Sequence, residues 1–283
     1  MPMLPEPSRS HDSTSLQDGS LDPFKDALRA RYPLDVVVRR ASRRRTMQRV
    51  AGSTMLSVAA AVSVWFADPA YRVDTLQTAV GEHRDWSLAD GSRLALNTDS
   101  LVRAEWHVRS RRLLLDRGEA SIEVAHSSLR SLRPLVTYAG DVVIHDVGTT
   151  FAVRRDAADV QVGVVSGSVA VAAGTQAPVN LNPNQAVTVA AGHMGSLEPF
   201  DPVQALGWRD GRLVFDGTPL SVAVAQMRRY RQAPIDLDPR AANLRVSGQF
   251  DTANIDALLD MLPHVLPIKV KHDASGAVMI AHR

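Results

Sequence analysis

The spacing of apolar residues changes character several times along the chain, and each change predicts a different element. Residues 1–20 are rich in Pro, Ser and Asp with little apolar content, a composition that cannot build a core and predicts disorder. Phe24, Leu28 and Tyr32 then recur at i, i+4 and i+8. With Asp22 as a cap, Pro23 in the first turn and Pro33 as a stop, they predict one short amphipathic helix. A helix this short is marginal alone in water and needs a partner or a membrane surface. From Val50 to Ala67 the 18 residues VAGSTMLSVAAAVSVWFA carry no charge. As a helix they would span roughly 27 Å, close to the thickness of a bilayer core, although Gly52, Ser53, Thr54, Ser57 and Ser63 dilute the hydrophobicity.

From Leu76 to about His193 the period falls to two. Short runs such as RLALN, ASIEVA, DVVIHD, TTFAVRR, VQVGVV and AVTVA are separated by turn signals, among them Asp90-Gly91 and Ser166-Gly167-Ser168. Gly118, within RRLLLD-RG-EASIEVA, reads as another chain reversal, and Gly148 as a bend or close backbone approach. Phe151 falls on an inward, core position and Trp208 at the start of the last segment. Many short strands without an intervening helical period predict an all-β roll or solenoid-like lobe. Residues 194–207, with two prolines and two glycines, read as a linker. Beyond them strands at 213–215, 235–237 and 244–250 alternate with helices at 219–232 and 255–266, the second capped by Asn254 or Thr252. A hairpin over Ser275-Gly276 closes the chain. That order predicts a small βαβ-βαβ domain with helices packed on a small sheet.

Charge adds a direction. The net charge is only +2, yet six arginines (39, 40, 43, 44, 45 and 49) precede the apolar run, while Trp65, Phe66 and Tyr71 follow it. The positive-inside rule then predicts a short basic cytoplasmic arm (1–49), a single transmembrane helix (50–67) and an external part. That part comprises an all-β domain at 76–193, the linker at 194–207 and a small α+β domain at 208–283. A buried core helix is the alternative for the apolar run, and a start at Met47 would turn it into a signal sequence. Beside an apolar span, the arginines read as a topology and lipid signal in preference to a nucleic-acid site.

The same survey argues against an enzyme. There is no cysteine, which excludes disulfides, thiolate metal sites and thiol nucleophiles. The histidines are scattered without HxH or HxxxH spacing, so no metal site is expected. His145-Asp146 and Ser166 or Ser168 could be drawn as a triad, but the serines flank a turn glycine without the GxSxG elbow. Glu119 and Glu123 lie i, i+4 in a strand, a spacing that gives no catalytic carboxylate pair. Catalytic residues, metal ligands and cofactors are therefore all expected to be absent.

The stretches AVGEHRDWSLADGSRLALNTDS (79–100), LLLDRGEASIEVAH (113–126), RPLVTYAGDVVIHDVGTTFAVRR (133–155), VQVGVVSGSVAV (160–171) and WRDGRLVFDGTPLSVAVAQMRRYRQAPIDL (208–237) resemble the FecR family of single-span sigma-factor regulators. The resemblance covers about residues 76–283, and its tail looks like the small domain shared with secretins and the N-termini of TonB-dependent receptors. Asp90, Gly91, Gly118, Gly148, Thr149, Phe151 and Trp208 are its structural signature here. It implies a protein of the bacterial inner membrane that relays an outer-membrane signal, in iron or siderophore uptake, to an extracytoplasmic-function sigma factor. The implied partners are that sigma factor inside and the signalling domain of a TonB-dependent receptor outside. The arm is shorter than the family's usual N-terminal domain and has no tryptophan, so Phe24, Leu28, Tyr32 and Leu34 are its candidate contacts. An envelope scaffold without sigma-factor binding is the alternative.

Overall fold

The computed structural model describes residues 22–31, 55–125, 133–146, 148–157 and 159–283. The chain divides after Phe66 into two units. The first holds helix α1 (Asp22–Arg31) and all but the last residue of helix α2 (55–67), whose side chains are all exposed. Among the described residues no helix is long and apolar enough to cross a membrane. Residues 50–54 of the expected span lie outside the described residues.

The second unit opens with strand β1 (Ala70–Gln77), earlier than the period-two pattern indicated. Most of β1 is exposed, so no apolar alternation marks it; its pairing with β4 (Leu101–His107) defines it. The remaining strands of the first lobe are β2 (Arg84–Ser87), β3 (Arg93–Leu96), β5 (Arg111–Glu123), β6 (Leu135–Ala139), β7 (Val142–Asp146), β8 (Thr150–Arg155), β9 (Asp159–Ser166), β10 (Val169–Ala173), β11 (Val179–Leu181), β12 (Gln185–Ala190) and β13 (His193–Pro199). They form one 13-stranded sheet folded into two layers. One layer runs β1-β4-β5-β6-β7-β10-β11 and the other β2-β3-β5-β8-β9-β12-β13. Within it β5 pairs with β6 in parallel, and the other pairings are antiparallel. Between the layers lies an apolar core that includes Leu96, Leu115, Ile122, Ile144, Phe151, Val162 and Val187. Removing each large side chain from water contributes about 1.5–3 kcal/mol.

Strand β5 belongs to both layers, which corrects the chain reversal expected at Gly118. Its first half buries Leu113 and Leu115 in the core, and its second half buries Ala120 and Ile122. The phase changes across a bulge at Asp116, where Leu101 faces Arg117 and Val102 faces Leu115. Gly118 sits at this crossing with φ +86°, and a Cβ there would lie 2.6 Å from the Ser100 backbone. No other residue fits that approach. The Ser166-Gly167-Ser168 turn likewise passes between layers, since β9 and β10 do not pair.

The second lobe continues without a loose linker. The stretch 194–207 carries most of β13, helix α3 (Pro202–Leu206) and the start of a 3-10 turn over Gly207–Asp210. Its prolines and glycines punctuate these elements: Asp201 caps α3, accepting from the Val203 and Gln204 amides, and Pro202 opens it. Strands β14 (Arg212–Pro219) and β16 (Arg245–Asp251) pair with each other. Strand β15 (Ile235–Leu237) pairs in parallel with β18 (Val278–His282), which pairs with β17 (Ile268–His272). Helices α4 (Leu220–Arg229) and α5 (Ile255–Val265) pack on them through Leu220, Val224, Met227, Leu258, Leu259 and Leu262. Asn254, accepting from the Ala257 amide, caps α5. Ala95 of β3 belongs to this second core, which places the lobe on the outer face of the β2–β13 layer.

Candidate functional site

Where the lobes meet, alternation along β3 and β5 directs Leu94, Leu96, Ala120 and Ile122 into the first core and turns Ala95, Glu119 and Ser121 outward. The second lobe covers that outward face, so Glu119 is buried. An isolated carboxylate there would be costly, and it is fully partnered. Its Oε1 accepts from Trp208 Nε1 at 3.1 Å. Its Oε2 accepts from Asn97 Nδ2 at 2.9 Å and from Arg229 Nη1 at 2.7 Å. Asn97 Oδ1 in turn accepts from the Tyr230 hydroxyl at 2.8 Å, and Thr98 Oγ1 donates to the Arg229 carbonyl at 3.0 Å. One anion thus ties β3 and β5 to the 3-10 turn and the end of α4.

The electrostatics keep two donors of this latch protonated. Burial pulls the Arg229 guanidinium's pKa down, but the charge of Glu119 and its hydrogen bond outweigh that, leaving it above its ordinary value. Burial pushes the Tyr230 phenol well above its usual range, aided by the Glu119 charge, so it remains a hydroxyl donor. Beside the latch a cavity of about 400 Å³ opens between the sheet face and the second lobe. The Phe200 ring closes one side against Gly163, where a Cβ would come within 2.3 Å of the ring.

The signature residues serve different parts of the molecule. Asp90 accepts from the Ser92 amide and hydroxyl and pairs with buried Arg111, fixing the β2–β3 hairpin at Gly91. Gly148 (φ +89°) and Thr149 lie between β7 and β8, their amides donating to the Asp146 carboxylate at 3.0 and 2.9 Å. The methyl of Thr149 closes on Gly167. Phe151 is fully buried in the first core. Of these seven only Trp208 touches the latch. Asn97, Glu119 and Arg229 were not candidates from the sequence, because a polar residue on a strand's outward face, in the turn after a strand or at a helix end looks solvated until the lobe that covers it is known. Phe24 and Leu28 are exposed on α1, while Tyr32 and Leu34 lie outside the described residues. Among the described residues no group of three or more His, Asp or Glu is placed to hold a metal. His145 is exposed on β7, and the neighbouring Asp146 carboxylate caps its turn.

A two-layered β-roll carrying a small α+β lobe through one buried ion pair defines the class of fold. Residues 74–170 match the family model described as FecR protein, and the chain carries a FecR-family domain. Two crystal structures of a candidate anti-sigma factor from Parabacteroides distasonis, at 2.50 and 1.65 Å resolution, share the fold. Each superposes with a TM-score of 0.62 at 21% identity, covering 75% and 74% of this chain and 100% and 99% of theirs. Curated proteins gave no significant match.

Proposed function

We propose that the protein is a membrane-anchored regulator of a sigma factor, acting by binding and not by catalysis. The observation that carries this reading is the FecR-family domain at 74–170, on a fold shared with the candidate anti-sigma factor of Parabacteroides distasonis. Support for the anchor comes from α2, which exposes Met55, Leu56, Val58, Val62, Trp65 and Phe66 directly after six arginines. In this reading residues 50–67 cross the bacterial inner membrane, residues 1–49 meet an extracytoplasmic-function sigma factor, and the β-roll and α+β lobe face the periplasm. There they receive the signalling domain of a TonB-dependent outer-membrane receptor, in iron or siderophore uptake. Exposed Phe24 and Leu28 on α1 are the first contacts to test on the inner side.

The decisive experiment is a pull-down of host sigma factors with residues 1–49. Binding of one of them, weakened by Phe24→Ala with Leu28→Ala, is the expected result; no binding at micromolar concentration rejects the sigma-factor role. A periplasm-dependent reporter fused after Arg283 should be active and one fused after Arg40 silent, and the reverse pattern rejects the orientation.

A further inference from the structure

The cavity beside the latch is polar, and its hydrogen-bonding groups are unequally used. Two carboxylates line it, Glu119 and Asp201. Glu119 is committed to Trp208, Asn97 and Arg229. Asp201 is committed to the start of α3, accepting from the Val203 and Gln204 amides and from Gln204 Nε2. Guanidiniums on the same walls keep donors in reserve. Arg229 spends Nη1 on Glu119, and among the described residues its buried Nη2 has no hydrogen-bond partner. Arg154 forms an ion pair with the half-exposed Asp156, Nε to Oδ2 at 3.3 Å, and among the described residues this buried Nε makes no hydrogen bond. The amide side chains of Gln161 and Gln226 complete the lining. The lining carboxylates are committed and guanidinium donors are left over, with only the half-exposed Asp156 facing Arg154 from outside the lining, so the group that best completes the cleft is an anion.

We infer that the interlobe cleft is a binding site for a small oxyanion, a carboxylate or phosphate group held between Arg154 and Arg229 with Gln161 and Gln226 at its edges. Its volume of about 400 Å³ suits a small metabolite. Because the walls come from β3, β5, β8 and β9 on one side and from α3 and α4 on the other, occupancy would brace the two lobes against each other. The inference does not depend on the proposed sigma-factor role, and either can fail without the other.

The test uses the full chain in detergent, titrated with inorganic phosphate and separately with malonate against chloride at matched ionic strength. Calorimetry and the thermal midpoint are the readouts. Saturable binding of one probe is expected, with a raised midpoint, and the probe that binds tells phosphate from carboxylate. Arg154→Gln, which leaves every hydrogen bond of Glu119 in place, should weaken binding about tenfold, as loss of a charge-assisted hydrogen bond does. Gln226→Ala is the second variant should the first be poorly folded, with a smaller loss expected. No saturable binding of either probe at millimolar concentration overturns the proposal, as does equal binding by wild type and a folded variant.

Discussion

Strand β5 carries two ion-paired carboxylates three residues apart, Asp116 and Glu119, and the regions they serve differ in kind. Asp116 pairs with Arg103 through two hydrogen bonds of 2.7 and 3.0 Å on the outer face of the first layer. The two side chains remain 41% and 32% exposed. Glu119, beyond the Gly118 crossing, pairs with Arg229 under the second lobe, where the carboxylate side chain is 8% exposed. The chemistry is the same and the surroundings are not. A pair in water adds at most about 1 kcal/mol. A buried pair costs desolvation to form, and breaking it leaves an uncompensated charge. Asp116 therefore decorates a strand, whereas Glu119 fixes how one lobe sits on another.

The comparison exists only because the strand changes layer at Gly118, so the largest expected effect comes from blocking the crossing. Gly118→Ala would put a Cβ 2.2 Å from Ser100 Oγ and 2.6 Å from its Cα, at a φ of +86°. Backbone atoms cannot yield as a flexible side chain can. We expect a loss of about 3 kcal/mol or more, combining left-handed strain with overpacking. Denaturant unfolding of the full chain measures it; a loss below about 1 kcal/mol would show that the crossing tolerates a side chain.

Next comes the seam. Glu119→Ala strips acceptors from Trp208, Asn97 and Arg229 together, and we expect a cost of about 3 kcal/mol, toward the low end for a buried pair because Arg229 keeps 21% exposure. A double-mutant cycle with Arg229→Gln should return a coupling of about 1–3 kcal/mol. Additive losses would mean that the pair does not act as a unit. Tyr230→Phe removes only the hydroxyl that donates to Asn97 Oδ1. Asn97 Oδ1 still accepts from the Thr98 amide at 2.7 Å, so about 1 kcal/mol is expected, read from the shift in unfolding midpoint.

How much of this was legible depends on the range over which the information acts. Local turn chemistry at Asp90-Gly91 and the two-residue alternation that buries Phe151 and Val153 are written within a few residues, and the strands followed from them. The same holds for α4 and α5, expected at 219–232 and 255–266 and found at Leu220–Arg229 and Ile255–Val265. Gly118 was singled out, but its meaning was not readable. A glycine in a turn and a glycine under a backbone approach look alike until Ser100 is brought beside it. β1 and β13 stayed hidden because edge strands bury too little to alternate clearly. The latch was the least visible part: Glu119 meets Trp208 89 residues on and Arg229 110 residues on. Nothing in a single strand's pattern says that its polar face will be covered. The parallel pairing of β5 with β6 is hidden for the same reason.

The smallest effect tests the exposed half of the comparison and should be visible in acid. The hydrogen bonds from Arg103 hold the Asp116 carboxyl below its ordinary value; burial works against them, and the charges of Arg103, Arg155 and Arg117 add to them. A carboxyl depressed in the folded state binds a proton more readily in the unfolded chain. Its contribution is therefore complete above the unfolded pKa, near 3.9, and is lost as pH falls through the lower folded value. Asp116→Asn removes that contribution at every pH. The stability gap between wild type and variant should thus be flat from neutral pH down to about 5 and close progressively below about 4. At neutral pH the gap should be no more than about 1 kcal/mol, since Arg103 and Asp116 are both partly in water. A gap of 3 kcal/mol at neutral pH would put Asp116 in the same class as Glu119, and the distinction between the two halves of β5 would fail. A gap that widens in acid would show the carboxyl to be raised in the folded state, contrary to its pairing.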